Sequence, residues 1–496
     1  MNGSISNSHS ICRAKRPICA AIACFLVMVR YGSIAAAFGP PSSVDVLEGR
    51  LGHEITAETL IEILKSSEDS DLRNLAVSAA CEFGPDAKEL VPFLISAFER
   101  GNGISRCNIA CALSGIGPPA IAAIPSLIRA LQDDDEMVSS NAAGALGRCG
   151  APAKAAVPSL AAMVSRRERD EGFGYFTPLA AAAAIGKFGS NARSVVPELV
   201  AVLAQTDRSP YIRRAVATAL GEIAAPGDRI VLAALSRVAK LESGTIRVGK
   251  EGATEAEEEA SVRIAAALAI WKKSHRRQVV AWLAEPLTHK ENVFYLREHA
   301  AMALGEIGPD AEAAMPMLIS LVTDWKDGKD DCRCSSAAVV ALGKIRSREE
   351  ASVRVLEEQV VRNSGLSELA IEALAEIGDP ARKSLRALVG ALEHESYEVR
   401  LAAADAIRRI GGDTDPTVAV LTECLAVTNV HNFFRKFPGV LQGARIRARA
   451  AKLLGHLGRR AEDAIPDLEA ALDDKFITVR KAAAEALREI KRDGLK

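Results

Sequence analysis

The chain has 496 residues, a formal net charge of −1 at pH 7 and only 4% aromatic residues. So even a balance of charge argues against a surface built to neutralise the phosphates of nucleic acid. Length alone suggests about three domains, but an internal repeat described below replaces that expectation with a single extended array.

The chain opens with Arg13, Lys15 and Arg16, then runs from Pro17 to Val29 without a charge and reaches the small residues Ala35, Ala36 and Ala37. A basic start, an apolar stretch and an A-x-A site are the parts of a secretory signal. The apolar stretch is too short for an ordinary membrane span of about 20 residues. Residues 1–37 are therefore expected to be a signal peptide, removed on export to a periplasmic or extracellular location. Its removal takes away Arg13, Lys15, Arg16 and Arg30 and no acid, moving the net charge from −1 to −5. Residues 38–59 are expected to be a linker, and 60–496 the repeat array.

From there on one phrase recurs: arginine, an alanine-rich turn and a half, Leu-Gly, a branched residue and Gly, plainest at Arg297 to Gly308. Aligned on the residue after the last Leu or its substitute, twelve copies stand at Cys81, Ser114, Gly147, Gly186, Gly221, Trp271, Gly305, Gly343, Ala375, Arg408, Gly455 and Arg488. A period in this range marks an array of units that cannot bury their apolar faces alone. Apolar positions at i, i+3, i+4 and i+7, as in Val216, Ala219, Leu220 and Ile223, make each copy a helix. A glycine three residues on (Gly84, Gly117, Gly150, Gly189, Gly308, Gly378, Gly411, Gly458) is expected to end it with a left-handed residue. Eight residues after six of these glycines stands Pro92, Pro125, Pro158, Pro197, Pro316 or Pro466, marking the first turn of a second helix. Each unit is thus predicted to be helix, glycine turn, helix, polar loop. No segment after Val44 reads as a strand.

The run V-R-x-x-A-A-x-A-L-G-x-I-G followed by A-I-P-x-L-I-x-A-L resembles a HEAT repeat of the short bacterial kind found in phycobilisome-linkage lyase subunits. The resemblance covers residues 60 to 492 and implies an all-α superhelical solenoid of about twelve helical hairpins. It does not fix a function, because such repeats serve scaffolds, adaptors and some enzymes. Deoxyhypusine hydroxylase, built of similar repeats, holds two irons with His-Glu pairs at this phrase. Here the phrase carries one such pair, Glu298-His299, in reversed order, which implies no di-iron site. A lyase-like subunit holding a tetrapyrrole for attachment to a protein cysteine is the alternative that the repeat subtype implies.

No G-x-S-x-G elbow, Walker loop, H-E-x-x-H or dinucleotide fingerprint occurs; no enzyme, cofactor or metal is expected. Arginine stands eight residues before the register position at Arg73, Arg106, Arg213, Arg263, Arg297, Arg400, Arg447 and Arg480. This ladder is expected to link repeats, with Asp69, Asp207, Glu395 and Asp474, just upstream, as acceptors. Basic clusters at Lys272, Lys273, Arg276 and Arg277, and at Arg445, Arg447 and Arg449, are expected to be solvated helix faces. Seven cysteines follow the leader, an odd number that leaves no complete disulfide framework. Cys81, Cys107 and Cys111 are expected to be small core residues, and Cys332 and Cys334 to lie in a loop.

Four spacings exceed the rest, at 39, 50, 38 and 47 residues. Their extra residues fall between the second helix of one repeat and the first of the next, hence along one edge. They hold Phe173, Tyr175 and Phe176; the acids Glu255, Glu257, Glu258 and Glu259; Trp325; and Phe433, Phe434, Arg435 and Phe437. The aromatic residues and Arg435 are the candidate binding residues, since exposed rings and arginines anchor protein partners. The expected function is an exported, monomeric, non-enzymatic scaffold binding an unidentified protein through its inner face and these edge loops. The other role open to the aromatic loops is to cover the gaps between their own repeats.

Overall fold

The computed structural model describes residues 43–53, 55–100, 105–166, 176–239, 253–288, 294–325, 332–346, 348–427 and 439–493, which contain no strand. The leader lies outside them. The twelve predicted copies are twelve first helices: Ser70–Phe83, Arg106–Ile116, Glu136–Cys149, Phe176–Lys187, Pro210–Ile223, Ala253–Ser274, Phe294–Ile307, Cys332–Ile345, Ser367–Ile377, Tyr397–Ile410, Gly439–Leu457 and Ile477–Asp493. We number the repeats one to twelve accordingly. Second helices follow in repeats one to eleven, from Val91–Arg100 to Ile465–Ala470. Among the described residues the twelfth repeat is a first helix alone. First helices stack on one another along the chain, and each second helix packs mainly on the first helix of the following repeat. The fold is an all-α solenoid.

The alanine-rich phrase acts through close approach. A methyl group placed on Gly343 would lie 2.8 Å from the Cα of Ala373, one repeat on, and one on Gly221 would lie 2.6 Å from the Cβ of Ala269. The same facing pair recurs as Gly147 with Ala184, Gly186 with Ala219, Gly305 with Ala341 and Gly455 with Ala486. Glycine in a helix interior costs about 0.5–1 kcal/mol relative to alanine. Here that cost is offset by the backbone contact that the missing side chain permits.

The six prolines open second helices as predicted. The glycine turn differs in detail. All eight glycines have positive φ, and of the five that cap a helix Gly411 is left-handed helical (φ 80, ψ 35). Gly117 (φ 68, ψ −131) represents the others that cap a helix, in a region almost closed to side-chain-bearing residues. The chain then enters a short 3-10 segment before the second helix, for example Pro118–Ala123. Three residues past seven of these glycines an alanine (Ala87, Ala120, Ala153, Ala192, Ala311, Ala381, Ala461) is fully buried. The corner thus has room for one methyl group.

Three sequence expectations change. Residues 38–59 are not all linker: Ser43–Leu51 is a helix with Leu47 and the following Ile55 buried, and with Ala57–Ser66 it packs on repeat one. This pair covers repeat one and escaped the phrase because no alanine-rich turn precedes its Leu51-Gly52. The acids Glu255, Glu257, Glu258 and Glu259 are not in a loop but in the N-terminal turns of the 22-residue helix Ala253–Ser274. Negative charge is favourable at that positive end of the helix. Cys332 and Cys334 open a helix rather than occupying a loop, and Cys334 is buried.

Candidate functional site: the inner face and the repeat junctions

On each first helix one stripe escapes burial. In repeat five it consists of Tyr211, Arg214, Ala215, Thr218 and Glu222. Arg449 of repeat eleven reaches Glu368 and Glu372 of repeat nine at 3.8 and 3.9 Å, passing repeat ten. A side chain spans two repeats only where the first helices lie inside the bend, so this stripe lines the inner face there.

The inner face has three kinds of surface. In repeats one to three it is polar and small. Asn108 donates to the Asn74 Oδ1 at 3.2 Å, and Asn141 donates to the Cys107 Sγ at 3.0 Å. Arg148 and Lys187, on successive repeats, bear like charge; burial and then Arg148 lower the Lys187 pKa. From repeat five to repeat ten the position after the register residue alternates in sign: Glu222, Lys272, Glu306, Lys344, Glu376, Arg409. Lys272 lies 3.0 Å from Glu222 and 4.0 Å from Glu306, and Arg409 lies 2.8 Å from Glu376. Glu306 and Lys344 flank a small notch floored by Gly305 and Ala341.

In repeat nine Glu368 and Glu372 stand one turn apart. Burial, then Glu372, raises the Glu368 pKa; burial also raises that of Glu372, against Arg449. These two carboxylates are short of counter-charge, whereas Glu376 is held lower by its hydrogen bond from Arg409 and by Arg346.

The arginine ladder links repeats, and of the expected acceptors Asp474 receives two of its arginines. Arg447 of repeat eleven is buried and donates to Asp474 (2.6 and 3.0 Å), in the loop before repeat twelve, and to the Val427 carbonyl (2.6 Å). Arg106 likewise pairs at 2.6 Å with Asp133, before repeat three. Arg213 donates to the Leu203 carbonyl at 3.1 Å and pairs with Glu259 of repeat six. For Arg106, Arg213 and Arg447 the acid thus lies toward the next repeat, whereas Arg400 pairs at 2.9 Å with Glu423 of its own repeat. Asp474 receives Arg447 on its carboxylate and Arg480 on its backbone oxygen. Asp69 caps its own helix instead. Where arginine is missing in repeats eight and nine, Ser335 and Ser367 donate to the Leu321 and Gln359 carbonyls, both at 2.9 Å. Either residue thus satisfies a carbonyl near the end of the preceding second helix, a group with no intrahelical partner.

Some members of the basic clusters are paired, while Arg276 and Arg277 are exposed as expected. Lys272 is shared between two glutamates, Arg449 faces two more, and Arg447 is buried rather than solvated. Of the edge aromatics, Phe173, Tyr175, Phe433, Phe434 and Phe437 lie outside the described residues, as does Arg435. Phe176 opens the first helix of repeat four and is half-buried. Trp325 is half-buried against the core, with its indole N–H buried and unpaired among the described residues. Glu298 and His299 are both half-buried. The thiols expected in the core instead face this stripe: Cys111 is exposed, and Cys81 and Cys107 are half-buried. Sequence reasoning also missed Arg208, buried and donating to the carbonyls of Val164, Ser165 and Arg166 at 2.9 to 3.3 Å. Its position in an Asp-Arg-Ser-Pro loop carried no repeat signal.

Comparison with known proteins agrees with this architecture. A model of HEAT repeats matches residues 91–171 and 362–432, and one of the PBS lyase HEAT-like repeat matches 446–474. No curated protein matches the chain. Solved structures similar to it include the karyopherin Kap121p bound to the extreme C-terminus of the protein phosphatase Cdc14p (15% identity, TM-score 0.41, covering 91% of this chain and 51% of that one). Importin beta is another (15% identity, TM-score 0.41, 88% and 69%), as is Kap121p bound to Ste12p (13% identity, TM-score 0.35, 88% and 49%). The chain spans about half the length of the Kap121p chains it matches. On its repeats and these family matches, the chain is a HEAT-repeat solenoid with a PBS lyase HEAT-like repeat near its C-terminal end.

Proposed function

We propose that the chain is an exported, non-enzymatic scaffold that holds a protein partner along its inner face and the edge from which the insertions leave. The observation that carries this reading is the pair Glu368 and Glu372, two inner-face carboxylates weakened by burial and sharing the guanidinium of Arg449. A lysine or arginine of the partner would supply the missing charge, so the partner is expected to present a basic segment there. Affinity purification from the native host, at low and at raised salt, tests this. A recovered protein that is lost on Glu372→Lys and weakened by salt supports the reading. Recovery of no protein, with turnover of a small molecule by the pure chain, overturns it.

Two further results follow from the same reading. Replacing Phe433, Phe434 and Phe437 by serine is expected to leave melting nearly unchanged and to weaken partner capture. Each lost anchor costs about 2 kcal/mol, roughly a thirtyfold loss. If the segment only plugs the junction between repeats ten and eleven, the same change instead melts the last two repeats early and leaves capture intact. Export is checked at the N-terminus: sequencing of the mature protein is expected to begin near Phe38, and an intact leader on a cytoplasmic chain would contradict it.

A further inference from the structure

The first two repeats bring two thiols together where the chain is most closely packed. Cys81 stands at the register position of repeat one, and Cys111 stands on the exposed stripe of repeat two, one turn before Gly115. A methyl group on Gly115 would lie 2.6 Å from the Cys81 Sγ and 2.8 Å from its Cα. The two backbones are thus near contact at this level, and Cys111, one turn before Gly115 on the same helix, acts on the Cys81 thiol across the junction. A disulfide needs its two Cα atoms about 4.4–6.8 Å apart, and Cys111 stands four residues before Gly115, on the helix that meets Cys81. Cys111 is open to solvent and Cys81 half-open, so a reagent reaches both.

We propose that Cys81 and Cys111 are a redox-active pair that exchanges with a small-molecule disulfide, such as oxidised glutathione, to close a covalent link between repeats one and two. The Cys81 thiolate attacks one sulfur of the reagent, forming a mixed disulfide and releasing one thiolate. Cys111 loses its proton to solvent and attacks the Cys81 sulfur, forming the inter-repeat bond and releasing the second thiolate. The protein gives up two electrons and two protons, and one reagent disulfide becomes two thiols. A reduced thiol in excess reverses both steps.

The environment separates the two roles. The hydrogen bond from Cys111, aided by Arg148 of repeat three and opposed by burial and by Glu82, lowers the Cys81 thiol to about 7. Cys111 is raised, first by that same hydrogen bond and then by burial. Cys81 is therefore the attacking group at neutral pH, since the thiolate is the nucleophile. Cys107, one turn from Cys111, is kept out: burial and Cys111 raise it, against a hydrogen bond from Asn141. Cys149 is buried. The link would lie on the inner face and fix the spacing of two first helices there, whatever partner that face holds.

The test is thiol mapping of the full chain in glutathione buffers of graded ratio, quenched by alkylation and read by peptide mass. The expected product is the Cys81 peptide joined to the peptide carrying Cys111, lighter by two hydrogens and reopened by reduction. Cys107→Ser is expected to leave this product unchanged. Cys111→Ser is expected to trap Cys81 as a stable glutathione adduct, and Arg148→Gln to slow its alkylation at pH 7 severalfold. Free Cys81 and Cys111 after excess oxidised glutathione, or a link through Cys107, overturns the proposal. So does a Cys81 in the Cys111→Ser chain that reacts no faster than Cys149.

Discussion

Arg447→Ala is expected to detach repeat twelve from the solenoid at a cost of about 3–5 kcal/mol, the cost of breaking a buried ion pair from one side. The Arg447 and Asp474 side chains are only 7% and 12% exposed. Truncation leaves the Asp474 carboxylate and the Val427 carbonyl without the donors that now reach them at 2.6 to 3.0 Å. By contrast Arg129 and Glu99, at 66% and 44% exposure, form a surface pair of the kind worth about 0–1 kcal/mol. Arg129→Ala is the control, expected to move stability by less than 1 kcal/mol. Asp474 also accepts the Phe476 N–H at 2.9 Å and so helps to start the last helix. For that reason Arg447→Met with Asp474→Asn should recover more stability than either single change. Hydrogen exchange reads the effect best: a solenoid unfolds by neighbouring units, and protection should fall in residues 477–493 first. Protection in that helix equal to the parent chain would show that the pair contributes nothing at this junction.

How much of this was legible in the sequence depends on the kind of contact. Contacts within one unit repeat with its period, so the Leu-Gly phrase, the glycine turn and the proline start were all readable before any coordinates. The facing of residues across units was not. Periodicity shows that Cys111 and Arg449 lie on helices, but the buried stripe is broad in an alanine-rich helix, and its exposed side is set by the neighbour. Hence Cys111 read as core, and Asp474 read as the partner of Arg480 rather than of Arg447, the nearer arginine in sequence taking precedence over the nearer in space. Ser335 and Ser367 read as gaps in the arginine ladder because their role lies in the carbonyl they satisfy, which has no sequence signature. The helix Ser43–Leu51 lacked the phrase and merged with the linker. Among the edge insertions, the one before repeat six was partly absorbed by a lengthened helix, which a spacing of 50 residues does not distinguish from a loop.

The largest consequence of the close helix stacking should appear at Gly343. Gly343→Val puts a Cβ 2.8 Å from the Cα, 2.9 Å from the Cβ and 3.3 Å from the carbonyl oxygen of Ala373. Two of these three atoms are backbone, so no side-chain rotation relieves the contact and the first helices of repeats eight and nine must separate. Two effects oppose each other. Replacing glycine inside a helix gains about 0.5–1 kcal/mol from the unfolded chain's lost freedom when the residue is alanine, and less for branched valine. Overpacking costs about 1–3 kcal/mol, and more where backbone must move, so the wedge wins. Coupling in a solenoid runs through adjacent interfaces, and a wedge here is expected to split unfolding into two transitions, repeats one to eight and nine to twelve. Gly390→Ala supplies the opposite sign, since a methyl group there meets nothing within 4 Å. It is expected to stabilise the short helix Leu385–Ala391 by about 0.5–1 kcal/mol. Ala373→Gly, added to Gly343→Val, removes one clashing atom and is expected to restore part of the lost coupling. Calorimetry of the three variants decides the matter: a single, unshifted transition in Gly343→Val would mean that the first-helix stack does not carry the cooperativity of the array.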